Sequence, residues 1–174
     1  MAISKIQSES INLADTFAFT GTVTGAGESN APYFRVYRNG SSNVGSSASY
    51  TTITFETEVY DSANAFDTST HRWTPQVAGK YFIYGCVTLY ASASSLRYAD
   101  TRIVSTGTGD ARAGVDFSNN YAYSCKPTVC EIITLNGSDQ YVSLSARGYA
   151  GGSNVDVEAG SGNTYFGGFL LSTS

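Results

Sequence analysis

The chain has 174 residues, 41% of them apolar and only 14% charged, with 18 glycines and 13 tyrosines. That length holds one domain plus an appendage. Its charge fraction lies well under the roughly 25% of an average globular protein, so hydroxyls and amides replace charges as solvating groups. A formal net charge of −4 and ten scattered basic residues exclude the basic stripe that nucleic-acid binding needs. Nothing in the sequence is apolar for long enough to insert in a membrane.

Residues 1–30 form a distinct first segment. Ile6, Ile11 and Leu13 are sparse apolar points in a polar stretch, and Phe17 to Val23 alternates with period two, as a half-buried strand does. Gly25 to Asn30 has linker chemistry. A lone strand cannot bury its own face, so this segment is read as an anchoring arm, with a frayed terminus or a first strand of the main sheet as the alternative. Its apolar residues Ile6, Ile11, Leu13, Phe17, Phe19 and Val23 would dock on a larger assembly. The opening Met1 to Lys5 lacks the apolar core of a secretion signal, which makes assembly in a cytoplasm the expectation.

From residue 31 to residue 174 a single all-β domain is expected. Tyr33 to Tyr37 reads as a strand closed by Arg38-Asn39-Gly40. Ser41 to Ser49 reads as an exposed loop. Thr51 to Tyr60 alternates, with Ile53, Phe55, Thr57 and Val59 facing one way. Lys80 to Tyr90 is apolar on both faces, which predicts a strand covered on both sides by a sheet and by either another sheet or another subunit. Further strands are predicted at Leu96 to Val104, Ala113 to Tyr123, Val129 to Leu135 and Tyr165 to Leu171. Asn136-Gly137 predicts a tight hairpin into Gln140 to Ala146, and Arg147 to Asn154 reads as a loop. Short strands at this spacing indicate a β-sandwich or jelly roll.

Catalytic chemistry finds little support. His71 is the only histidine, so a histidine metal cluster is impossible and a Ser-His-Asp triad would have to use it. Glu56 and Glu58 are the carboxylate pair to weigh for glycoside hydrolysis, though this spacing is common on solvated faces. Asp61 and Asp67 flank a turn and are expected to cap it. Asp156 and Glu158 alternate in the same way. A loop Ca²⁺ site is conceivable in principle, but no EF-hand-like loop is present. No catalytic, cofactor or metal residues are assigned. Cys86, Cys125 and Cys130 are read as reduced thiols, with a Cys125–Cys130 bridge as the alternative. Loops around Tyr121 and Tyr149 could contact sugars or proteins.

Several segments resemble the C1q/TNF-like domain. Asn64-Ala65-Phe66-Asp67 through Trp73-Thr74-Pro75 to Ala78-Gly79-Lys80-Tyr81-Phe82 is similar to its turn, short strand and aromatic pair. Ile132 to Leu144 looks like its penultimate hairpin, and Tyr165-Phe166-Gly167-Gly168-Phe169-Leu170-Leu171 like its closing strand. The resemblance covers roughly residues 32–172 and implies a ten-strand jelly-roll sandwich that forms homotrimers and binds rather than catalyses. Candidate trimer-interface residues are Tyr81, Phe82, Tyr84, Cys86, Tyr90, Phe166 and Phe169. Residues 4–27 resemble the starts of tailed-bacteriophage virion proteins. Together these imply a trimeric virion surface protein, of the head decoration (cement) type, held to other virion proteins by its arm. A short tail fibre recognising host surface glycans is the alternative, and a free carbohydrate-binding module the more distant one.

Overall fold

A computed structural model describes residues 31–46, 49–92 and 95–173. The expected arm, residues 1–30, lies outside the described residues, and with it Ile6, Ile11, Leu13, Phe17, Phe19 and Val23. Among the described residues every regular element is a strand and none is a helix, as the composition predicts.

The strands are β1 (Tyr33–Tyr37), β2 (Ser42–Asn43), β3 (Thr51–Thr52), β4 (Thr57–Asp61), β5 (Phe66–Asp67), β6 (Arg72–Trp73), β7 (Gly79–Cys86) and β8 (Leu89–Tyr90). They continue as β9 (Leu96–Ser105), β10 (Ala111–Asp116), β11 (Ser124–Cys125), β12 (Thr128–Leu135), β13 (Val142–Ala150), β14 (Asp156–Val157) and β15 (Tyr165–Thr173). One sheet has the order β12-β7-β15-β1-β4. A second has the order β10-β9-β13-β6-β5, with β3 also on β13, and a short third runs β11-β8-β14-β2. All pairings are antiparallel. The result is a jelly-roll sandwich.

Alternation explains how it closes. Phe34 and Val36 of β1, Tyr81 and Ile83 of β7, and Phe166 of β15 point inward and are fully buried. They meet Phe66 and Trp73 from the second sheet and Phe55 from the connection between β3 and β4. Phe34 stacks on Trp73 with ring centroids 4.4 Å apart and meets Phe166 edge-on at 5.1 Å. Trp73 meets Tyr81 edge-on at 5.2 Å, and Phe55 lies 5.9 Å from Phe166. Pairs in these geometries contribute about 0.5–1.5 kcal/mol each beyond their buried area. Two sheets are thereby joined by one connected set of rings.

Five expectations need correction, and the cause is the same in three of them. Thr51 to Tyr60 is not one strand: β3 pairs β13 in the second sheet, while β4 pairs β1 in the first. Ile53 and Phe55 fill the crossing between them, and Val59 is 50% exposed rather than inward. Likewise Lys80 to Tyr90 divides at Val87-Thr88, since β7 lies in the first sheet and β8 in the third. Asn136-Gly137 does not make a hairpin, because β12 pairs β7 and β13 pairs β9. The turn instead carries the chain between sheets, held by Asn136 Oδ1, which accepts from the backbone N–H of Ser138, Asp139 and Gln140. In the fourth case, β13 runs on through Arg147, Gly148 and Tyr149, where a loop was expected. Gly148 serves packing there: a Cβ would sit 2.8 Å from Val155 Cγ1. The Ser41 to Ser49 loop also holds the strand β2 and a buried Val44.

Gly137 has a φ of +71°, and a Cβ there would lie 2.3 Å from the backbone nitrogen of Ala78. Gly45 has nearly the same φ, +70°, but open space around it. Gly45→Ala should cost about 1–2 kcal/mol for the left-handed backbone alone. Gly137→Ala should cost about 1–3 kcal/mol more for the forced contact. Urea denaturation of the two variants checks the difference.

Candidate functional site

The five-stranded sheet turns one face to the aromatic core and the other outward, and the outward face is where a function can be built. Register sorts its residues into ranks that run across the strands. In the first, Tyr33 lies opposite Phe169, Phe169 opposite Phe82, and Phe82 opposite Ile132. In the second, Arg35, Gly167, Tyr84 and Cys130 are aligned. The third holds Tyr37, Tyr165, Cys86 and Thr128. Tyr60 of β4 pairs with Arg35 at the edge.

The first rank is almost wholly apolar and open. Tyr33, Phe169 and Ile132 are between 44% and 52% exposed, as is Leu171 at the end of β15. Phe82 and Phe169 approach to 5.5 Å, Phe82 and Tyr84 to 6.1 Å, and Tyr33 and Tyr60 meet edge-on at 5.4 Å. Exposed single apolar residues are ordinary, whereas a contiguous patch marks an interaction surface. The second rank is flatter. A Cβ on Gly167 would lie 2.6 Å from the Tyr84 hydroxyl, so the glycine is what lets Tyr84 lie down across β15.

Charge on this face is sparse and cationic in character. Arg35 lies over the Tyr165 ring at 5.1 Å and donates through Nη2 to the Ser161 carbonyl at 3.2 Å. Lys126 approaches the same ring at 5.8 Å and donates to the Gly162 carbonyl. Arg35 Nε is buried without a hydrogen-bond partner. Burial pushes the Tyr84 phenol up to about 12, with a hydrogen bond to Tyr60 adding to the rise. The neutral phenol is therefore the form this face presents at any physiological pH.

The structure divides the seven residues named as interface candidates. Phe82, Tyr84 and Phe169 lie together on the outward face. Tyr81 and Phe166 do not: both are fully buried members of the core, one residue out of phase with that face, so the sequence assignment is corrected for them. Cys86 is fully buried too, its thiol donating to the Asn163 carbonyl at 3.5 Å. Tyr90 lies on β8 in the third sheet, where it stacks on Tyr123 at 6.0 Å. Sequence reading missed Tyr33, Tyr60, Ile132 and Tyr165. A signal for Tyr33 was present, because Tyr33 to Tyr37 is also apolar or aromatic at four of its five positions.

The remaining candidates have structural duties. Burial would raise the Glu56 carboxyl, but the Asn39 N–H, the Arg38 charge and the Thr54 hydroxyl outweigh it and leave it lowered. Glu56 pairs with Arg38 at 3.2 Å, which ties it to the β1 end rather than to Glu58. Asp61 accepts from the N–H of Ala63 and Phe66, and Asp67 from Ser69 and Thr70. These contacts cap the turn. The Ser69 hydroxyl leads a set of hydrogen bonds that hold the Asp67 carboxyl at about 2. His71, at a φ of +56°, accepts from the Phe55 N–H through Nδ1. All three cysteines are free thiols. Among the described residues no three His, Cys, Asp or Glu gather as a metal site. Tyr121 and Tyr149 both lie against the Arg97 guanidinium, at 4.8 and 5.6 Å.

No protein-family model and no curated protein sequence matches the chain. Its fold does match solved structures. The globular domain of zebrafish complement 1qA superposes with a TM-score of 0.60 at 20% identity, covering 82% of this chain and 98% of that one. Eiger TNF from S. frugiperda gives 0.60 at 12% identity, covering 83% and 93%. Murine APRIL at pH 5.0 gives 0.59 at 10% identity, covering 81% and 99%. These likenesses establish the fold: the chain folds as a C1q/TNF-like jelly roll.

The tyrosines of this half of the sandwich give a stability signature. Burial also pushes Tyr81 up to about 12. A phenol whose folded value is raised above its unfolded value near 10 stabilises the fold fully below pH 10. That contribution is lost as pH rises from 10 toward 12. The urea midpoint should therefore hold steady up to pH 10 and fall beyond it, and Tyr84→Phe should make the fall shallower.

Proposed function

We propose that this chain is a non-enzymatic assembly protein that forms a homotrimer through the outward face of its five-stranded sheet and works on a virion surface. The observation that carries the reading is the rank Tyr33–Phe169–Phe82–Ile132, an open apolar strip with no structural partner in the described domain. Such a strip is costly to leave in water, at about 25 cal/mol per Å². Covering it with copies of itself removes that cost symmetrically. Aromatic residues with few charges are the composition of interface cores.

The virion assignment is supported by the resemblance of residues 4–27 to the starts of tailed-bacteriophage virion proteins, and by the low-charge composition. In this reading the arm, through Ile6, Ile11, Leu13, Phe17, Phe19 and Val23, docks on other virion proteins. Three arms on one trimer raise one another's effective concentration, so weak single contacts suffice. Within this reading the chain is a head decoration or cement protein. The second reading, a receptor-binding tail protein that contacts host glycans, is favoured by the Tyr121–Arg97–Tyr149 cluster.

Analytical ultracentrifugation tests the assembly. The parent chain should sediment as a trimer, and Phe82→Glu or Phe169→Glu should give monomers that retain their β circular dichroism. A folded Phe82→Glu trimer would sink the interface. Gold-labelled antibody on particles whose genome encodes the chain tests the location. Label over the head supports decoration, label at the tail supports receptor binding, and no label on any particle overturns the virion reading.

A further inference from the structure

The second sheet carries a polar cleft on its own outward face, remote from the aromatic strip. Tyr98, Asp100 and Arg102 of β9 alternate outward there, in register with Asp116, Gly114 and Arg112 of β10. On the other side Asp100 pairs with Arg147 of β13. Gly114 is the missing tooth in this layer. A Cβ at that position would lie 3.2 Å from Asp100 Cγ, so the glycine makes room beside the carboxylate. A cleft of about 300 Å³ results, lined by Tyr98, Asp100, Arg112, Asp116 and Arg147.

Asp100 is only 4% exposed and its two oxygens are unequally served. Oδ2 accepts from the Tyr50 hydroxyl at 2.8 Å, from Arg147 Nε at 3.2 Å and from Arg147 Nη2 at 3.1 Å. Oδ1 is buried with no hydrogen-bond partner among the described residues. A buried acceptor left unpaired costs about 1–3 kcal/mol, so a donor that reaches it is bound with that gain. Across the cleft the Arg112 side chain is exposed and, among the described residues, makes no hydrogen bond or ion pair, which leaves its donors unspent. Arg147 lies against Tyr50 at 4.6 Å and Tyr98 at 5.4 Å, which orients its guanidinium along this wall.

We infer that this cleft is a subsite for one neutral sugar ring of a glycan. An acceptor-only carboxylate beside a donor-only guanidinium calls for ligand groups that donate and accept at once, which hydroxyls do. Two arginines against two aspartates leave the walls close to neutral, so neither an anionic nor a cationic ligand gains from the net field. The volume sits at the low end of small-molecule sites, about 300–1,000 Å³, enough for a single ring and no more. Because Oδ1 is covered, binding requires a small rotation of the carboxylate or of a neighbouring arginine. None of these residues belongs to the proposed trimer face, so the inference stands or falls independently of that assembly.

Saturation-transfer NMR on the full chain provides the test, with methyl glucoside, methyl galactoside, methyl mannoside and N-acetylglucosamine as neutral probes. N-acetylneuraminic acid and glucosamine serve as the anionic and cationic probes. At least one neutral probe should receive saturation, and its affinity should fall at least tenfold in Arg112→Ala, whose exposed position leaves melting unchanged. Asp100→Asn should abolish it as well. Should that variant fail to fold, Arg112→Ala decides alone. The inference is overturned if no neutral probe binds, if only a charged probe binds, or if binding survives Arg112→Ala or a folded Asp100→Asn.

Discussion

The cluster of Phe34, Phe55, Phe66, Trp73, Tyr81 and Phe166 is the constraint from which the rest of the domain follows. Three of these rings belong to the five-stranded sheet and two to the second sheet, and they meet at centroid distances from 4.4 to 6.4 Å. Once Phe34, Tyr81 and Phe166 are fixed inward, the period of two in a strand leaves no freedom for their neighbours. Tyr33 and Arg35, Phe82, and Tyr165 are forced outward. The outward aromatic face is thus the other side of the core, set by the same side chains. A one-residue slip in β1, β7 or β15 would exchange the two sets completely.

Two adjacent glycines make both faces possible at once. On the inner side, a Cβ at Gly168 would lie 2.5 Å from Ile83 Cδ1 and 3.2 Å from Phe34 Cε1. On the outer side, Gly167 yields to Tyr84. In a strand this pair supplies room rather than backbone freedom, because neither residue has a positive φ. The cost is the greater chain entropy lost by glycine on folding, about 0.5–1 kcal/mol each relative to alanine. Gly114 plays the same part on the second sheet, with Asp100 in place of an aromatic ring.

How much of this was legible depends on what alternation encodes. The spans of β1, β7, β9, β12 and β15 were readable because their apolar residues recur every second position. Sheet membership was not. When the chain crosses from one sheet to the other at Ile53 and Phe55, the side chains still point alternately inward, so the pattern runs on while the hydrogen-bond partner changes. The same holds at Val87-Thr88, and it is why Tyr90 was placed on the wrong face. Phe82, Tyr84 and Phe169 were recoverable from a strand apolar on both sides. Ile132 and Tyr165 were not, since only the cross-strand register brings them beside Phe82 and Tyr84. Asp100 gave no signal at all: its meaning rests on Gly114, Arg147 and Tyr50, up to 50 residues away.

The two outward faces of the sandwich differ in a way that follows from their charges. On the five-stranded sheet the cations lie at the margin, and the apolar rank is bare. Water is the poorest neighbour for such a surface, and another apolar surface the best. On the second sheet every exposed ring is engaged by an arginine, with Tyr50 between Arg102 and Arg147 at 5.6 and 4.6 Å, and Tyr121 and Tyr149 against Arg97. Cation–π contacts of this kind contribute about 0.5–1 kcal/mol where exposed. They also keep the rings wettable and hold the donors in fixed directions. A face built in that way does not need to be covered to be stable. It can remain in solvent with its hydrogen-bonding groups oriented, which is the condition for recognising a small polar ligand.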